Sequence, residues 1–170
     1  METFLGLRSW HWRATDWVAA AVSGFAAGAV LMILDLVWST IFNPDGPWRT
    51  SHMIAPIFSG ATDSLQTGDY RFSVSVVIIA LLTHYVLGIV FGLVLAVILA
   101  QLRLDAELLP ALVTGACVGL LLYVVNFEGL TAFFPWLAGL RGTATLAAHL
   151  VFGCVAAFLY WRLKRTATES

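Results

Sequence analysis

Charge is the scarcest commodity in this sequence: Asp, Glu, Lys and Arg make up 11% of its 170 residues, less than half the share of a soluble domain. Only nine residues are Lys or Arg and the net charge is −1, so there is no basic stripe to displace counterions from phosphates, and nucleic acid is excluded as a partner. Its two cysteines, Cys117 and Cys154, stand alone inside apolar stretches, which excludes the Cys-x-x-Cys pairs of membrane thiol oxidoreductases and reads as small apolar packing. P-loop, dinucleotide and zinc-ribbon fingerprints are missing, and Ser73, Ser75 and Thr83 lack a nucleophile-elbow context. So little chain lies outside the apolar runs that no soluble catalytic domain fits, and the expected protein is not an enzyme.

What fills the sequence instead is apolar, at 60% of residues. Four stretches, Trp17–Phe42, Phe72–Ala100, Leu108–Phe127 and Gly142–Trp161, each reach the roughly 20 helical residues that cross a hydrocarbon core. They predict an all-α membrane protein, a four-transmembrane-helix bundle forming one membrane domain over residues 1–170. Residues 1–16 place Leu5, Leu7, Trp10 and Trp12 beside Arg8 and Arg13, the composition of a segment lying in the headgroup region. Glu2 and the lack of a small-residue cleavage site predict that this segment is retained. The connection 43–71 opens on the turn signal Pro44-Asp45-Gly46-Pro47, and Met53–Phe58 is apolar enough to fold back as a short interfacial helix or re-entrant turn. His11 and His52, in such segments, are expected to be solvent-exposed. Six basic residues (Arg8, Arg13, Arg103, Arg162, Lys164, Arg165) flank one side of the spans and three (Arg49, Arg71, Arg141) the other, which predicts both termini in the cytoplasm.

The chain also repeats itself. Val22-Ser23-Gly24-x-x-x-Gly28-x-x-Leu31-x-x-x-Asp35 in the first stretch matches Val113-Thr114-Gly115-x-x-x-Gly119-x-x-Leu122-x-x-x-Asn126 in the third, and Pro47-Trp48 and Pro135-Trp136 follow. His84-x-Val86-x-Gly88-x-Val90 in the second matches His149-x-Val151-x-Gly153-x-Val155 in the fourth. Stretches one and three would cross in the same direction, so the expected architecture is a duplicated helical hairpin with a parallel (2+2) pseudo-twofold repeat, unlike the inverted repeats of many transporters. Gly24/Gly28, Gly88/Gly92 and Gly115/Gly119 are GxxxG pairs and Gly153/Ala157 a small-xxx-small pair, offering flat stripes for helix packing.

Asp35, His84, Asn126 and His149 fall on these stripes by helical spacing and are expected to converge in the outer half of the membrane. A carboxylate there costs about 2.5–3.5 kcal/mol on insertion scales, so Asp35 is expected to pair with His84 or His149. The cluster has a structural reading, in which it fixes helix register. It also admits a proton or ion site, since intramembrane acid–histidine pairs mark proton relays. His84 and His149 are also a possible axial pair for a b-type haem, with Arg71 or Arg141 near the propionates. Asp35, His84 and His149 form an unspecific two-histidine, one-carboxylate metal set. The residues alone leave these open, and no cofactor is required by them. Glu128 is expected to be solvated or loosely paired with Arg141.

Four segments carry a resemblance. Pro47-Trp48 to Met53-Ile54-Ala55, Thr83-His84-Tyr85-Val86-Leu87-Gly88, Val125-Asn126-Phe127-x-Gly129-Leu130-Thr131-Ala132-x-Phe134-Pro135-Trp136, and Ala148-His149-Leu150-Val151-Phe152-Gly153 resemble a group of uncharacterised small bacterial four-helix inner-membrane proteins, over roughly Trp17 to Arg162. The resemblance implies a multi-pass protein of the bacterial inner membrane and brings no activity with it. The expected function is that of a non-enzymatic accessory or structural subunit of a larger membrane complex, with the lipid bilayer and other membrane subunits, or further copies of the chain, as partners. A small proton- or ion-conducting protein is the alternative, and a haem-binding electron-transfer subunit the second alternative.

Overall fold

A computed structural model describes residues 13–165. The N-terminal stretch with His11, Trp10 and Trp12, most of the expected headgroup segment, lies outside the described residues. Helix α1 (Trp17–Phe42) starts where Asp16 accepts the Ala19 N–H at 3.0 Å, the capping bond that an exposed helix N-terminus needs. The connection after it forms three short helices, α2 (Arg49–Ile54), α3 (Pro56–Ser59) and α4 (Asp63–Thr67), where the sequence suggested one. Pro56 opens α3 at a position where its missing N–H costs nothing, and Gly60 and Gly68 end α3 and α4 in the left-handed region that glycine tolerates.

Helix α5 (Val74–Gln101) begins two residues after Phe72, and α7 (Thr143–Leu163) runs two residues past Trp161. Helix α6 (Leu108–Val124) passes into a π-helical turn, Val125–Gly129, then a 3-10 turn, Leu130–Ala132, and a second 3-10 segment, Pro135–Leu140. The expected span Leu108–Phe127 therefore has a regular α-helix only to Val124. Counting α6 with its continuation to Ala132, the structure has four helices long and apolar enough to cross a membrane, and no strand among the described residues. Rows of large apolar side chains face outward, among them Val18, Val22, Ile33 and Val37 of α1 and Leu82, Val86, Val90 and Val94 of α5. A surface of that kind belongs in lipid, as a multi-pass membrane protein requires.

Packing follows the small residues. Helix α1 pairs with α5 and α6 with α7, the two hairpins meet chiefly along α1 and α7, and α5 touches α6 only lightly. Lipid chains are as apolar as leucine, so helices gain by close approach rather than by leaving solvent. Accordingly Ala20, Ala27, Ala96, Ala111 and Ala157 are fully buried, with Leu95 and Leu99 filling between them. A Cβ on Gly24 would fall on the Gly88 carbonyl oxygen and 2.9 Å from Gly92 Cα; one on Gly115 would fall on the Gly153 oxygen and 2.7 Å from Ala157 Cβ. Only glycine permits backbones this close.

The bundle end carrying Arg13 and Arg165, the terminal end, is tied by ions. Asp105, nearly buried, takes Lys164 Nζ at 2.6 Å and lies 3.8 Å from Arg13 Nη1. Asp16 also accepts the Arg165 backbone N–H and Nε–H, both at 3.1 Å. The Ala19 amide, ahead of Arg165, holds the Asp16 carboxyl down to about 2 from an ordinary 3.8.

Candidate functional site

At the opposite end, the loop end, the connection after α1 lies against the 3-10 segment before α7. Trp136 Nε1–H donates to the Met53 carbonyl at 2.9 Å and Arg49 Nη1 to the Gly139 carbonyl at 3.2 Å. Arg141 holds the end of the π-helical turn: its Nε donates to the Phe127 carbonyl at 2.6 Å, and its Nη2 meets Thr131 Oγ1 at 3.1 Å and Glu128 Oε2 at 3.0 Å. A π-turn leaves carbonyls short of helical partners, and the guanidinium supplies donors for one of them. The Glu128–Arg141 pair is itself largely exposed.

Beneath this cover sit the four polar residues singled out by the sequence, though not in the expected pairing. Asp35 makes no ion pair with a histidine. Its Oδ1 accepts the Thr50 hydroxyl at 3.1 Å, and no cation lies within ion-pair reach among the described residues. The turn at Pro44–Pro47 brings α2 back over α1, and Thr50 is its first residue to reach the carboxylate. His149 is buried at 8% exposure, whereas Asp35, His84 and Asn126 are half-buried. His84 Nδ1 lies 3.0 Å from the Ala80 carbonyl and His149 Nδ1 2.8 Å from that of Thr145. A carbonyl only accepts, so both rings carry their proton on Nδ1 and, when neutral, present a lone pair on Nε2. For His149 that lone pair is used: Asn126 Nδ2 donates to it at 3.4 Å. The Tyr123 and Phe127 rings stand edge-on to the same imidazole, with centroids 6.0 and 5.4 Å away.

Two adjoining cavities meet at the histidines. One, about 120 Å³, lies inside the loop end of the bundle and is lined by Leu31, Thr83, His84, Leu122, Asn126 and Phe152 among others, roofed by Ile54 and Ile57. The second, about 270 Å³, lies beside α1 and α7 and is lined by Asp35, Trp38, Thr50, His84, Thr145 and His149 among others. Phe91, which belongs to a row of apolar residues on the second span, faces inward onto the core and the first cavity. Toward the terminal end both cavities stop at the glycine contacts and the fully buried Leu95, Ala96 and Leu99, where Ser23 is the sole buried polar side chain of α1 within the packed region.

This geometry bears on the candidate chemistries. Among the described residues no three His, Cys, Asp or Glu side chains are grouped to hold a metal ion. An axial haem pair needs both Nε2 atoms aimed at one iron, whereas His149 Nε2 is held by Asn126. His52, expected in solvent, is buried at 6% exposure, its Nε2 2.8 Å from the Arg71 carbonyl and its ring edge-on to Tyr70. Sequence reasoning also missed Thr50 as a partner of the cluster, for which the hydroxyl four residues after the Gly46 turn was the available signal. Compared with known protein families, curated proteins and solved structures, the chain matches none of them significantly.

Proposed function

We propose that the chain is a non-enzymatic protein of the bacterial inner membrane, with both termini cytoplasmic, that serves as a structural subunit of a larger membrane assembly. The observation that carries this reading is how the polar cluster uses its hydrogen bonds. Asp35 fastens the α1–α2 turn through Thr50, Asn126 fastens the π-helical turn after α6 to α7 through His149, and each histidine is tied back to its own helix. Contacts of this kind fix register at roughly 0.6 kcal/mol each. Conduction would require a wet route to the terminal end, where glycine-to-glycine contact and buried Leu95 and Leu99 close the bundle.

The same reading holds that the bundle arose by duplication of a hairpin. In its support, Gly24 meets Gly88 and Gly92 as Gly115 meets Gly153 and Ala157, and Gly28 faces the His84 carbonyl as Gly119 faces that of His149. Ser23 bonds back to Ala19 as Thr114 does to Pro110. The contact between hairpins breaks the symmetry, being close along α1 and α7 and slight between α5 and α6. That looseness leaves α5 and α6 as flank helices with outward rows such as Val86, Val90, Val113 and Leu121. The 28 residues of α5 are about 42 Å of helix against a hydrocarbon core of roughly 30 Å, a mismatch that a neighbouring subunit relieves. Extraction in a mild detergent tests the proposal: the chain is expected in a particle much larger than its 18.5 kDa plus micelle, with defined partners or copies of itself. A monodisperse monomer in several mild detergents, with ion flux in vesicles, would favour the conducting alternative instead.

A further inference from the structure

Three of the four cluster residues have found partners across the fold; His84 has not. Its Nδ1 proton is committed to the Ala80 carbonyl, and its Nε2 has no partner among the described residues while the ring lines the 120 Å³ cavity. The equivalent nitrogen of His149 is filled by Asn126, so the unfilled one is not a general feature of this helix motif. The rest of the lining is almost wholly apolar: Leu31, Leu87, Phe91, Leu122, Leu137 and Phe152 surround it. An engineered protein cavity of about 150 Å³ holds a single benzene-sized ring, and this one is of the same order. Its walls come from α5, from α6 and its π-helical continuation, from Gly28 and Leu31 of α1 and from His149 and Phe152 of α7, and its loosest side is the seam between α5 and α6, the least closely packed neighbours in the bundle.

We propose that this cavity binds a small lipid-soluble molecule with a hydroxyl-bearing ring, of phenol or quinol type, which enters between α5 and α6 and donates its O–H to His84 Nε2. The hydrogen-bond polarity sets the class. A neutral imidazole protonated on Nδ1 offers only a lone pair at Nε2, so a ketone, ether or quinone oxygen placed there would face a second acceptor, whereas a hydroxyl satisfies it. Asn126, on the same wall, has spent one Nδ2 hydrogen on His149 and keeps its amide oxygen for the same kind of donor. The apolar lining receives the ring, and an alkyl or prenyl chain would leave through the α5–α6 seam into lipid.

The test uses the full chain in lipid nanodiscs with 15N-labelled histidine side chains, titrated with 4-hexylphenol and, separately, with its methyl ether 4-hexylanisole, which has the same shape and no donor. With the phenol, one unprotonated Nε2 resonance is expected to move upfield and saturate at one equivalent per chain, at about tenfold lower concentration than any response to the ether. In His84→Phe that resonance is expected to be lost and phenol binding to weaken about tenfold. Should the variant fail to accumulate, the comparison of the two probes on the unaltered chain still decides. Equal responses to phenol and ether, or shifts that rise without saturation as the probe partitions into lipid, would overturn the proposal. So would a His84 Nε2 already hydrogen-bonded to a resident water that the phenol does not displace.

Discussion

Gly153 makes the sharpest demand on the bundle, and replacing it with alanine measures that demand. The added Cβ would fall on the Gly115 carbonyl oxygen, 2.8 Å from Gly115 carbonyl carbon and 3.0 Å from Gly119 N. All three obstacles are backbone, so no rotamer change relieves them and α6 must move away from α7 by roughly an ångström to restore ordinary contact. Overpacking of this kind costs about 1–3 kcal/mol, while alanine gains about 1 kcal/mol over glycine in a helix. The net expectation for Gly153→Ala is a loss of about 0–2 kcal/mol. Gly129→Ala supplies the reference, because nothing lies within 4 Å of its Cβ position and its backbone is already helical at φ −79°. There the propensity gain acts alone and stability is expected to rise by up to about 1 kcal/mol. Gly28→Ala, whose Cβ would stand 3.3 Å from the His84 oxygen, is expected to fall between the two. Helicity followed by circular dichroism through a denaturing-detergent titration in mixed micelles orders the three variants. If Gly153→Ala proves as stable as Gly129→Ala, the close backbone approach is not what holds α6 to α7.

Other consequences are open to measurement. Lys164→Met strands the nearly buried Asp105 carboxylate with only Arg13 at 3.8 Å, and is expected to cost about 3 kcal/mol in the same titration, most of it recovered by adding Asp105→Leu. Because the Asp16 carboxyl is held down to about 2 from an ordinary 3.8, its contribution to stability is fully present above about pH 4 and is lost as pH falls toward 2; Asp16→Asn should flatten that part of the pH–stability profile. Asp35→Asn keeps an acceptor for Thr50 while removing a charge from the membrane, so folded yield should be equal or higher, and a drop on the scale of Thr50→Val would refute a structural role for the carboxyl. Reporters fused after Ser170 should report cytoplasm and a tag at Gln66 should be reached from outside; the opposite labelling would reverse the proposed orientation.

The four long apolar helices were legible because hydropathy over 20 residues is a property of composition, which needs no knowledge of neighbours. The turn after α1 was legible for a similar reason, Pro44, Gly46 and Pro47 acting within their own dipeptides. What the sequence hid depends on where distant segments meet. Thr50 reaches Asp35 only because α2 folds back over α1, and Lys164 reaches Asp105 across 59 positions of chain. The π-turn at Val125–Gly129 carries no local mark: its residues fit an α-helix equally well, and only the Arg141 guanidinium on the Phe127 carbonyl shows why the ladder opens there. His52 shows that a loop position does not by itself mean exposure, because this loop is a packed layer in which the Arg71 carbonyl and Tyr70 enclose the ring.

The difference between Asp35 and Asn126 governs what the loop end can do. Both residues stand at matching places in the repeated motif, one turn beyond Leu31 and Leu122, yet an amide can donate and a carboxylate cannot. Asn126 therefore satisfies the lone pair of its hairpin's histidine, which leaves that imidazole locked between Thr145 and α6. The Asp35 carboxyl makes no hydrogen bond to His84 and takes instead the Thr50 hydroxyl, a donor from the adjacent turn. One change of side-chain chemistry thus closes one imidazole within the protein and leaves the other facing an apolar cavity. Asp35→Asn tests the point directly: if the new amide abandons Thr50 and donates to His84 Nε2, phenol binding should fall while folding is preserved, and if binding is unchanged the two histidines differ for some reason other than the acid–amide exchange.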